Sequence, residues 1–266
     1  MLISAFSALL ASVCYLLASR KIADKIRHYD NIDAEKQRQT IQRWAYFAIG
    51  LHIVSFSQTI WKDGNFVFNF ANSLSMVALL SSAVLLMLDR RNSSETLGIF
   101  VFPFAALTTL LPVGFDQYVP MPLEIGSHVL ISIAAYSILG VAAAQALLYS
   151  VQERRFRQRK LSALMRALPP LQVMESLMIQ FVMIGFVLLT FALVSGAFFI
   201  EDIFAQHLVH KTFFAIVSWL VYFVFLVGHF KQGWRGQTAV RFSMWAYIML
   251  ILSFIGTEIA LALIAR

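Results

Sequence analysis

Gln206-His-Leu-Val-His210-Lys-Thr-Phe-Phe-Ala-Ile-Val-Ser-Trp219 leads, through eight residues without a charge, into Gly228-His229-Phe-Lys-Gln-Gly233-Trp-Arg-Gly236. It reads as one membrane-crossing helix over 211–229, with two histidines at its start, a tryptophan near its middle and a basic loop after it. Ionisable side chains are expensive near lipid and are seldom placed there for packing alone. The helix is therefore read as one wall of a site, and the rest of the chain as what completes it.

The composition agrees with a membrane setting. Of 266 residues, 59% are hydrophobic and 13% charged, about half the charge of a soluble domain. Several apolar runs reach the length of a spanning helix, which excludes a soluble domain. The net charge of +7 does not indicate a nucleic-acid binder, because the charges lie between the apolar runs. Cys14 is the single cysteine, so no internal disulfide and no C-x-x-C chemistry is available. The first run, 2–19, has no basic region before it and is followed by Arg20-Lys21, so it is read as a retained helix rather than a cleaved signal.

Eight helices are expected, over 2–19, 42–60, 69–88, 97–111, 125–149, 172–199, 211–229 and 242–265. The fold class is all-α and polytopic, a single transmembrane domain over 1–266. The fourth helix is short and carries Pro103, which implies a kink or partial crossing. Of the 21 lysines and arginines, 18 fall in 20–43, 89–96, 150–170 and 230–241. Those segments share one side under an eight-helix count, which the positive-inside rule makes cytoplasmic, with both termini outside. Segments 20–41 and 150–170 read as cytoplasmic amphipathic helices, for anionic lipid headgroups or for docking a protein partner.

Candidate chemistry rests on histidines. His52 lies about ten residues into the second helix, near the bilayer centre. It is either a neutral imidazole bonded to a neighbouring helix or a functional group. His128 is near the start of the fifth helix, and His210 opens the seventh with His207 one turn earlier. Two imidazoles at similar depth on separate helices suit axial ligation of haem iron; helix capping and headgroup contact are the plainer uses. Zinc would want more ligands, although Glu124, Glu201 and Asp202 keep a histidine–carboxylate metal site open. His229 is read as a headgroup contact. Asn69, Asn72 and Ser73 share a helix face, as interhelical glue or the lining of a polar cavity. Trp219 is either packing or a flat wall for a planar ligand. No phosphate cradle and no Ser/His/Asp arrangement occurs, so no catalytic residue is assigned and the chain is not read as an enzyme. Glu175 and Glu258 are too few for a proton relay of the usual kind.

The run Lys211 to Trp219, His229, Gly233-Trp-Arg-Gly236, Ala239 and Gly256, with the helix that carries Ser127-His128, Tyr136 and Tyr149, resembles the cytochrome c assembly (CcsA/CcmC-type) membrane proteins. His52 and the Asn72-Ser73-Leu-Ser75 entry to the third helix are most similar to their YpjD/HemX-like branch. The resemblance implies haem handling, with external histidines as iron ligands and a tryptophan-rich segment as cradle; His128 matches the first such histidine. The cradle should lie just before Lys211, where this chain has Glu201-Asp-Ile-Phe-Ala-Gln-His-Leu-Val-His210 and no tryptophan. His210 matches no family histidine, so its role rests on its place in the helix.

The resulting expectation is an inner-membrane haem-binding or haem-handling protein. His128 and His210 would be the axial ligands, with Trp219, Asn72 and His52 around the cofactor. Its partners would be the bilayer and haem. The alternatives are an accessory or regulatory protein whose loops 20–43 and 150–170 bind a partner, and a small-solute permease subunit with a wet path near His52.

Overall fold

The structure, a computed structural model, describes residues 2–28, 33–62, 65–92, 95–114, 119–120, 123–158, 167–199 and 209–264. Its helices run on past the apolar runs. α1 covers Leu2–Arg27 and α2 covers Ala34–Ile60. The charged residues after Ser19 and before Gln42 thus extend two long helices and do not build separate amphipathic ones. Nothing between 20 and 27 is a Pro or Gly, so the i→i−4 ladder has no reason to stop where lipid contact ends. α2 starts where Asp33 caps it, its Oδ1 accepting from the N–H groups of Lys36 (3.2 Å) and Glu35 (3.1 Å). Those bonds, Lys36's first, hold the Asp33 carboxyl below the usual carboxylate range.

Three short strands follow in the order β1 (Trp61–Lys62), β2 (Asn65–Phe68) and β3 (Val119–Pro120). β1 pairs antiparallel with β2, and β2 with β3. α3 covers Phe70–Asn92. Its N-cap is Asn69, whose Oδ1 accepts from the Asn72 N–H at 2.7 Å. A 3-10 turn, Glu95–Leu97, enters α4 (Gly98–Thr108). Pro103 lies inside α4 without ending it. The break comes later, where Pro112 has no N–H to donate and the chain resumes as α5 (Leu111–Gly114).

The remaining helices are α6 (Leu123–Arg157), α7 (Leu171–Phe199), α8 (Val209–Gln232) and α9 (Gln237–Ile264). α6 overruns its apolar stretch as α1 does and ends in Arg154, Arg155 and Arg157. Among the described residues, six helical stretches are long and apolar enough to cross a membrane: Ile3–Arg27, Phe70–Leu88, Glu95–Gly114, Ile125–Arg157, Leu171–Phe198 and Lys211–Gln232. α2 is not among them; its second half carries His52, Ser55, Ser57, Gln58 and Thr59.

The chain divides into two compact units, Met1–Met121 with Val151–Val173, and Pro122–Ser150 with Met174–Arg266. In the first, α1 packs on α2 and α4, and α3 packs on the same two helices. Ala8, Ala11 and Ala18 of α1, Ala45 and Ala48 of α2 and Ala105 of α4 are wholly buried. Small residues let helix backbones approach where lipid supplies no hydrophobic drive for association. The opposite stripe of α1, Ile3, Phe6, Leu9, Val13 and Leu16, is exposed, as suits contact with acyl chains. Below that packing, Lys25 of α1 forms a buried ion pair with Glu95 of the 3-10 turn.

In the second unit, α8 pairs with α9 through Ser218 Oγ donating to the Ala246 carbonyl (2.8 Å) and a Phe225–Phe242 stack. Their connection explains the Gly233-Trp-Arg-Gly236 motif. Gly233 has φ +70°, its N–H bonds the His229 carbonyl, and the Trp234 N–H bonds the Gly228 carbonyl. This is an αL C-cap, closed by the Gly233 N–H on the His229 carbonyl, with Trp234 folded back onto Gly228. His229 Nδ1 donates to the Trp234 carbonyl at 2.8 Å, so this imidazole staples the turn. Glu175 of α7 accepts from the Gly236 N–H at 2.6 Å and anchors the start of α9.

Candidate histidine site

Two imidazoles lie among apolar helices, one in each unit, with opposite hydrogen-bond accounts. His52, in the first unit, is 1% exposed. Its Nε2 is 2.8 Å from Ser75 Oγ of α3. Its Nδ1 is 3.2 Å from Tyr15 Oη of α1 and 3.2 Å from Thr109 Oγ1 at the end of α4. Thr109, which also lies 3.4 Å from Nε2, spends its proton on the Ala105 carbonyl (2.6 Å) and so accepts from Nδ1–H, leaving Nε2 to accept from Ser75. Every polar atom of the ring is used, and the ring ties all four main helices of its unit together. Tyr15 packs edge-on to His52 and against Phe102, closing the cluster. Asn72, one turn before Ser75, reaches the Thr59 carbonyl through Nδ2 at 3.4 Å.

His128 sits in the second turn of α6 and is half-buried. Its Nδ1 is 3.0 Å from Ser195 Oγ of α7, and the Ala192 backbone also interacts with the ring. Ser195 spends its proton on the Ala192 carbonyl, at 3.0 Å. With that proton spent, Ser195 Oγ accepts from the ring, which puts the ring proton on Nδ1. Nε2 is left with a lone pair and has no hydrogen-bond partner among the described residues. Gly196 makes room for the ring, since a Cβ there would lie 3.0 Å from His128 Cε1. Lys211, near the start of α8, is close enough for its charge to act on His128.

Of the other expected site residues, His210 is the second residue of α8, with its side chain outside the described residues; His207, Glu201 and Asp202 lie wholly outside them, as does the Glu124 side chain. Trp219 lies two and a half turns further along α8 than His210. Its Nε1 donates to Thr190 Oγ1 at 2.8 Å. Its ring is 5.4 Å from both Phe186 and Phe223, which are 6.4 Å from each other. Those separations describe a three-ring cluster rather than a sandwich with Trp219 in the middle. His52 and Asn72 belong to the first unit, and His128, His210 and Trp219 to the second. Among the described residues, no three His, Cys, Asp or Glu side chains gather as a metal site.

Bundled apolar helices of spanning length define a multi-pass membrane protein, in which the His128 imidazole is bonded to Ser195 through one ring nitrogen. The sequence profile described as cytochrome C assembly protein matches residues 47–264, and the chain belongs to that family. It is 31% identical to the inner membrane protein YpjD of Escherichia coli K12 over 227 residues, covering 83% of this chain and 86% of the relative. The same figures hold for YpjD of Escherichia coli O157:H7. An uncharacterized 28.8 kDa protein in a nifR3-like 5' region of Azospirillum brasilense is 25% identical over 230 residues, covering 81% of this chain and 85% of its own length. No solved structure matches the chain.

Proposed function

We propose that this protein binds haem at the extracytoplasmic rim of the bacterial inner membrane, with His128 Nε2 as one axial ligand and His210 as the other. The observation that carries the proposal is the hydrogen-bond account of His128. Ligating histidines generally donate their second ring N–H to a fixed acceptor, and His128 does so to Ser195, with no bond drawn from Nε2 among the described residues. Lys211 supplies a cation beside it, suited to a carboxylate on the macrocycle. Trp219, with Phe186 and Phe223, gives an aromatic wall further along the same helix. Bound haem would bring the iron chemistry; this chain's residues hold it, orient it and keep water from it.

The proposal takes residues 1–266 as one transmembrane domain crossing eight times, with α2 and α9 completing the set. Both termini are extracytoplasmic and the arginine-rich end of α6 is cytoplasmic, because the basic segments then share one side. His52 and Asn72 are assigned to helix association in the first unit. Adding haemin to detergent-purified protein tests the reading. A Soret band that forms with the wild type and fails with His128→Ala supports it, and the absence of any band in the wild type refutes it.

A second reading draws on the exposed Arg154, Arg155 and Phe156 at the end of α6, which suit a partner or lipid headgroups. In an accessory protein of that kind, replacing Arg154, Arg155 and Arg157 by Gln abolishes function while haem binding persists. The permease alternative has less to rest on, since His52 is enclosed by direct hydrogen bonds and packed rings.

A further inference from the structure

We infer that Ser195 and Gly196 are positioning residues for His128, fixing its Nδ1–H tautomer and ring plane so that the Nε2 lone pair is kept for a ligand. The inference rests on the haem reading above and adds the residues that make the imidazole fit for iron. A free neutral histidine exchanges its proton between two nitrogens, and only one tautomer presents Nε2. Ser195 removes that freedom. Its proton is committed to the Ala192 carbonyl at 3.0 Å, so toward His128 it is an acceptor only. An Nε2–H tautomer would leave Nδ1 facing Ser195 Oγ with no proton between them unless Ser195 gave up its bond to Ala192.

Gly196 works sterically. A side chain there would sit 3.0 Å from Cε1, 3.5 Å from Nδ1 and 3.7 Å from Nε2, against the ring on both sides of its C–H. Even a methyl group at that distance forces the ring to shift. Adjacent residues of α7 thus hold one edge of the imidazole by hydrogen bonding and close approach, and leave the other edge open. Outer partners of this type commonly govern ligand affinity by about 10–100-fold.

The test uses the full chain in detergent, in two parts. In haem-free protein labelled with 15N-histidine, long-range proton–nitrogen spectra report the tautomer of His128, its signals identified by their loss in His128→Gln. The wild type is expected as Nδ1–H. The Nε2–H form as the main species overturns the inference whatever haem does. In haemin titrations, Ser195→Ala and Gly196→Ala are expected to weaken binding at least tenfold with unchanged melting temperature, and Ser195→Thr, which keeps the hydroxyl, to bind like the wild type. Wild-type affinity in both alanine variants, with binding lost in His128→Ala, overturns the positioning role and leaves the haem reading standing. No haem uptake by the wild type overturns both.

Discussion

His52 and His128 are the same side chain used in two ways. His52, at the centre of the first unit, has both ring nitrogens bonded to hydroxyls from three other helical segments. His128, in the second unit, has one nitrogen bonded and the other open. Burying a polar group among apolar helices is unfavourable unless it is bonded, and a ring with every bond made has nothing to offer a ligand. A ring bonded on one edge is oriented and still has a lone pair to give. The two units differ accordingly: the first spends its polar groups on holding helices together, and the second leaves one in reserve.

Substitutions sharpen that contrast. The largest loss of stability is expected from Glu95→Ala, which leaves Lys25 buried without its carboxylate and costs about 3–5 kcal/mol. Thermal unfolding in detergent checks it, and Lys25→Met combined with Glu95→Leu should recover most of the loss. Next is His52→Ala, at about 2–3 kcal/mol, because the site loses packing volume and Ser75 loses its acceptor. The same variant should take up haem with an affinity within about twofold of the wild type, since a saturated imidazole is not a ligand. If affinity falls as it does in His128→Ala, His52 belongs to the haem site and the contrast fails.

A smaller change, about 1 kcal/mol, is expected for Trp219→Phe, which gives up the bond to Thr190 and keeps the ring cluster. Thr190 still donates to the Phe186 carbonyl, so no hydroxyl proton is stranded. The smallest effect belongs to Asp33, exposed at the start of α2. Its folded-state carboxyl lies below the usual range because it accepts from backbone N–H groups. The stabilisation is therefore present above the unfolded-state pKa and is lost as pH falls through the folded one. Asp33→Asn should flatten that acid-side slope in melting temperature and leave haem binding unchanged.

The sequence made the membrane class and the family plain, because apolar runs and basic segments are one-dimensional signals. It also marked the start of α6 and the start of α8 as places of interest. Helix ends were less legible. α1, α2 and α6 overrun the lipid-length runs, since hydrogen bonding continues through Lys and Arg as readily as through Leu. The short strands have a local signal in Asp63-Gly64, which lies between Lys62 and Asn65 and is a favoured two-residue hairpin sequence. Ser195 and Gly196 had none, because their importance lies in meeting a ring 67 residues away in the chain. Glu175, in sequence one of two acids too few for a proton relay, holds the Gly236 N–H. His229 looked like a headgroup contact and proved to close the turn before α9.

The central claim is that the open nitrogen of His128 is there to receive haem iron. Haemin titrated into the purified wild type, His128→Ala and His52→Ala proteins, followed by Soret absorption, tests it directly. The account predicts one saturable haem per chain in the wild type, the same in His52→Ala, and loss of the shifted band in His128→Ala. A wild type without the band, or a His128→Ala protein that binds as the wild type does, would contradict it.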